Sequence, residues 1–123
     1  MTMYKPSGPL GEKTFLLAIE VVTLSKSLRK SHDYELASQL LRSGTAPGAL
    51  YREAERAESK RDFVHKLAIG LKEAAETIYW LDLLRQTDMI DTQQYGRVHP
   101  LCTEVVKLMS SIIKTTKSRY NLK

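Results

Sequence analysis

The chain has 123 residues, 42% of them hydrophobic and 27% charged, and 19 basic against 14 acidic side chains leave a formal charge of +5. That length holds one globular domain with one core, not two domains of ordinary size. One cysteine excludes an internal disulfide framework or a Cys-rich zinc module. No apolar run approaches the ~20 residues that cross a bilayer. The start, from Met1 to Pro6, lacks the apolar stretch of a secretion signal. The expectation is a soluble, cytoplasmic protein with no membrane partner.

No segment alternates with period two for long enough to make a strand, and the apolar spacing predicts four helices, over about 12–30, 34–58, 60–86 and 92–118. The first carries two stripes: Phe15, Ala18, Ile19 and Val22 on one face, and Leu17, Val21, Leu24 and Leu28 nearly opposite. Ser31 or Asp33 is the candidate N-cap of the second helix. That helix passes through Ser43-Gly44-Thr45-Ala46-Pro47-Gly48, which propensity alone would break. The apolar spacing resumes in phase after it, so one helix kinked at Pro47 is expected.

Ser59 and Asp62 resemble a capping box opening the third helix, whose apolar set is broad around Tyr79, Trp80, Leu83 and Leu84. Asp91, Gln94 and the Ile90–Tyr95 pair mark the start of the fourth. Pro100 is expected to bend that helix or to end a frayed first turn. Tight connections between long helices predict an all-α, antiparallel up-down-up-down four-helix bundle.

A bundle monomer would leave part of this apolar surface exposed, which predicts a homo-oligomer or a dedicated protein partner. The candidate interface is the second stripe, Leu17, Val21, Leu24 and Leu28, with Tyr79, Trp80 and Leu84 from the third helix.

Catalytic and cofactor signatures fail one by one. Gly8 to Thr14 faintly resembles a phosphate loop but has the wrong spacing and follows no strand. Asp62-x-x-His65 and His99-x-x-Cys102 are isolated, whereas a di-iron or zinc site needs a full ligand set. Cys102 falls on an apolar stripe, where a small core residue is expected. Glu73 and Glu76 beside Lys72 read as a solvated or interface face. No nucleophile elbow occurs. No enzyme activity, metal or cofactor is expected.

Basic residues are the better lead. Lys107, Lys114, Lys117, Arg119 and Lys123 follow Glu104 with no acid among them, and contribute as many charges as the formal net. Helix C-terminal cations in a solubilising tail account for them. The functional alternative is a phosphate-contacting patch with Tyr120 available for stacking. Arg52, Arg56 and Lys60 form a second row, which Glu53 and Glu55 are placed to neutralise. With Arg61 added, these are the candidate nucleic-acid-binding residues.

Four blocks resemble a known family. They are QLLRSGTAPGALYREA from Gln39 to Ala54, SKRDFVHKL from Ser59 to Leu67, LKEAAETIYWL from Leu71 to Leu81, and SSIIK from Ser110 to Lys114. Together they are similar to the bacterial four-helix-bundle proteins first met in the intervening sequences of 23S ribosomal RNA genes. The resemblance implies a closed up-down bundle that assembles into a ring, typically a pentamer, with the segment from Gly44 to Gly48 helical so that small residues allow close packing. A distant relative serves a retroelement reverse transcriptase as a nucleic-acid-binding accessory protein. The function implied is non-enzymatic binding of RNA or DNA, structured RNA above all, and the alternative is a scaffold recruiting a protein partner such as a reverse transcriptase.

Overall fold

The computed structural model describes residues 3–123. Its four helices are α1 (Gly8–Lys30), α2 (Tyr34–Ala54), α3 (Lys60–Gln86) and α4 (Thr92–Arg119), and no strand occurs among the described residues. α1 packs on α2 and α4, and α3 packs on the same two, while the diagonal pairs do not touch. The cross-section is therefore a square with one shared core.

Local chemistry sets the boundaries. α1 begins at Gly8, earlier than the periodicity predicts, because Pro9 sits in its first turn with φ already helical and no N–H to satisfy. The stretch that mimics a phosphate loop is thus a helix start, with Leu10 and Gly11 buried. α2 stops at Ala54, short of the predicted 58, and its last carbonyls are taken by tight turns through Ala57. Ser59 then adopts extended backbone and accepts from the Asp62 amide at 3.0 Å. The Asp62 carboxylate closes the loop by accepting from the Glu58 amide. Asp91 and Gln94 form the reciprocal capping box, at 2.7 and 2.8 Å. Both prolines are carried inside continuous helix, so Pro100 marks no frayed turn.

Close approach of α1 and α2 explains the glycine-rich stretch. A Cβ on Gly44 would lie 2.6 Å from one Val21 methyl and 2.7 Å from the other, inside any tolerable contact. Ser25 donates to the Ala37 carbonyl, Val21 faces Gly44, and Thr14 lies against Gly48. Residue numbers fall along α2 as they rise along α1. The same reversal holds for Ser43 with Thr77 and Glu53 with Lys66, and for Ala74 with Cys102 and Gly70 with Met109.

The core corrects the expected interface. Leu17 and Val21 are 0% exposed, Leu24 and Leu28 nearly so, and Leu84 is fully buried. These residues fill the protomer's own core and leave no surface for a second copy. The stripe left outside is the first one, with Phe15 39% exposed, Ile19 48%, Val22 36% and Ala18 half-buried, and Leu16 beside it is 44% exposed. Burial on both sides by α2 and α4 selects the Leu17 face as the inward one. Tyr79 stays outside at 61%, with Trp80 edge-on to it and half-buried.

Candidate nucleic-acid interface

The bundle's topology brings distant basic residues to one end. The start of α1, the end of α2, the start of α3 and the end of α4 meet there. Lys60 lies over the Tyr120 ring at 5.1 Å, Arg52 over the Tyr4 ring at 4.3 Å, and Ser7 donates to the Glu55 carboxylate at 2.9 Å. Residues 3–8, 51–62 and 110–123 supply nine cations and only four carboxylates, an excess equal to the whole chain's formal +5. Charge is therefore concentrated, and the rest of the molecule is close to neutral.

Of the candidate residues, Arg52, Arg56, Lys60, Arg61, Lys114, Lys117 and Arg119 belong to this end. Lys107 lies seven residues before Lys114, about 10 Å down the flank of α4. None of the eight makes an ion pair among the described residues. This corrects the expected neutralisation of Arg52 and Arg56. Glu53 turns instead to Lys66 at 3.2 Å, and Glu55 takes the Ser7 hydroxyl. Lys60 lies over one side of the Tyr120 ring, which stays 45% exposed, as Arg52 lies over Tyr4. Lys5 and Tyr4 join the end only because α1 starts beside α2's last turn, which no local pattern announces.

The other faces have different characters. Between α2 and α3, Arg42 bridges Glu73 and Glu76, and the Trp80 indole N–H also donates to Glu76. That pair of acids is a closed ionic contact between helices. Between α1 and α4, Lys13 meets Glu104 at 3.2 Å, and a cavity of about 220 Å³ opens near Glu20 and Arg97. The α1–α2 side carries the apolar Phe15–Ile19–Val22 stripe.

The isolated ligand-like residues are occupied structurally. The Tyr95 hydroxyl donates to Asp82 at 2.7 Å, which pushes its own pKa up, and His99 stacks on Tyr95 while approaching Asp82 at 3.7 Å. The Cys102 thiol donates to the Ala74 carbonyl, and burial pushes its pKa up to about 12. It is a neutral core residue at any ordinary pH. No group of three or more His, Cys, Asp or Glu side chains is placed to hold a metal ion among the described residues. No described helix is long and apolar enough to cross a membrane.

Comparisons of family and of structure agree. The model of the 23S rRNA-intervening sequence protein family matches residues 10–111. A crystal structure of a protein of unknown function from the S23 ribosomal protein family, from Bacteroides thetaiotaomicron, is 45% identical. It superposes with a TM-score of 0.84 over 86% of this chain and 99% of its own. No curated protein matches the chain.

Proposed function

The chain belongs to the 23S rRNA-intervening sequence protein family, and we propose that it is a non-enzymatic, nucleic-acid-binding member, with structured RNA as its preferred target. One observation carries this reading: an excess of five positive charges gathered at one end by four separate elements, on side chains free of ion pairs. Unpaired surface cations release no partner when they meet phosphate, so each contact keeps its full counterion-release gain.

Assembly strengthens the same contact. The antiparallel up-down-up-down bundle exposes Phe15, Leu16, Ile19 and Val22, with Tyr79 and Trp80 on α3. Covering them against further copies gives a homo-oligomeric ring, five-membered as the family resemblance implies. Each added copy repeats the basic end, and weak contacts become multivalent.

The test is a titration of labelled structured RNA and duplex DNA at roughly 50 and 200 mM salt, where counterion release is steep. Saturable binding that weakens with salt is expected. Lys107→Gln, Lys114→Gln and Lys117→Gln together should flatten the slope of log affinity against log salt by up to ~3 units. No binding at low salt would end this reading and favour a scaffold for a protein partner, whose apolar contacts salt does not screen.

A further inference from the structure

Toward the basic end the α3–α4 face carries exposed basic side chains, its carboxylate Asp82 lying at the far end with Tyr95, and its register orders the basic residues in pairs. Lys60 lies level with Tyr120, Gly70 with Met109, Ala74 with Cys102 and Asp82 with Tyr95. Interpolating between these contacts places His65 level with Lys114, and Arg61 and Lys72 within about two residues of the levels of Lys117 and Lys107. All but the half-buried Lys117 are exposed. On α3 the three side chains fall within about 40° of one another around the helix, on the side away from the core. On α4, Lys107 and Lys114 are two full turns apart on the outer side, with Lys117 leaning toward α3.

Small side chains stand beside the rows: the half-buried Ala68 and exposed Ala75 on α3, and the half-buried Thr103 and exposed Ser110 on α4. Every acid in these spans is engaged elsewhere. Asp62 holds the α3 start, Glu73 pairs with Arg42 on the α2 side, and Glu104 pairs with Lys13 on the α1 side. The face therefore has two parallel rows, Arg61 and Lys72 with the polar His65 between them on α3 and Lys107, Lys114 and Lys117 on α4, about 16 Å long by helical rise. Their axes are spaced as neighbouring helices are, about 9 Å apart.

We propose that this face seats the two facing phosphate strands of a double-stranded nucleic acid, one along each row, with Lys72 as a phosphate contact. Two rows match two strands, whereas a single strand needs one groove and aromatic platforms for its bases. No Tyr or Trp lies between Arg61 and Lys72, where the rings are the half-buried Phe63 and the imidazole of His65, and no aromatic ring lies between Thr103 and Lys117 on α4. Backbone contact of this kind reads duplex shape and not sequence. The proposal rests on the nucleic-acid reading and narrows it to one face and one strand geometry.

The experiment compares 20-base-pair RNA and DNA duplexes with the corresponding single strands, for the unmodified protein, Lys72→Gln, and the pair Lys26→Gln and Lys30→Gln, exposed near the C-terminal end of α1. Duplex should bind tighter than single strand, and the RNA and DNA arms report which helix form fits better. Lys72→Gln should lower the salt slope by about 0.9, one phosphate contact, while the α1 pair, which lies off this face and away from the basic end, leaves the duplex slope unchanged. Single strand binding as tightly as duplex would overturn the two-row assignment. So would an unchanged slope for Lys72→Gln, or an equal fall for the α1 pair, and in each case nucleic-acid binding itself would stand. Absence of binding to all four probes would overturn both.

Discussion

Replacing Gly44 with alanine tests how closely α1 and α2 are packed. The new Cβ would arrive 2.6 Å and 2.7 Å from the two Val21 methyls and 3.0 Å from the Val21 Cβ, where ordinary contact begins near 3.5 Å. Val21 is fully buried and β-branched, so a helix leaves it essentially one rotamer and it cannot swing aside. The helices must part, or the side chain must strain, at about 1–3 kcal/mol for overpacking. Against this, alanine in a helix interior gains about 1 kcal/mol over glycine. The expected net is a loss of up to about 2 kcal/mol, or up to several degrees in Tm for a chain of this size. Val21→Ala alone loses buried methyls, but in the Gly44→Ala background it also relieves the clash. The double-mutant cycle should thus show a coupling above about 1 kcal/mol. Urea denaturation at fixed protomer concentration measures all four corners, the concentration being held because assembly adds apparent stability. A Gly44→Ala variant about 1 kcal/mol more stable, with no coupling to Val21, would mean that propensity alone governs the site and that close packing does not explain the glycine.

The two stripes of α1 separate by the same logic. Ile19→Glu, on the exposed stripe, should lower the assembled mass in light scattering while helical circular dichroism is retained; Leu17→Glu places a carboxylate in the core and should unfold the protomer. An unchanged mass for Ile19→Glu would remove that stripe from the interface. Cys102 gives a pH prediction. Its folded pKa is raised from 9.0 to about 12 by burial, so above pH 9 the unfolded chain binds fewer protons than the folded one and stability falls as pH rises. The limiting slope is about 1.4 kcal/mol per pH unit for one proton. Cys102→Ala should remove most of the loss between pH 9 and 10, and the native thiol should react with a thiol reagent only as fast as the protein opens. Equal alkaline sensitivity in the variant would place the cause at Tyr51 or Tyr95, whose pKa values are also raised.

Local chemistry is written in single stretches of this sequence. Asp91 with Gln94 and Ser59 with Asp62 are helix starts because a side-chain oxygen and an amide three residues on suffice to make them. The four helices follow from apolar spacing, and the resemblance in four blocks identifies the family. Both stripes of α1 are equally legible, but which one is buried depends on where α2 and α4 stand, and Leu17 and Ile19 change places accordingly. The same holds for charge. Glu53 and Arg56 are neighbours in sequence, yet Glu53 pairs with Lys66 on the next helix because a carboxylate takes the cation that packing presents to it. Lys72 beside Glu73 and Glu76 reads as one mixed face until Arg42, thirty residues earlier, draws both acids to the α2 side and leaves the lysine opposite Lys107. The sequence by itself determined the helices, their caps and the total charge, because those depend on neighbours within a few residues. Only the tertiary structure decided which face is core, which acids are spent and where the remaining cations meet, because each depends on residues that the fold alone makes neighbours.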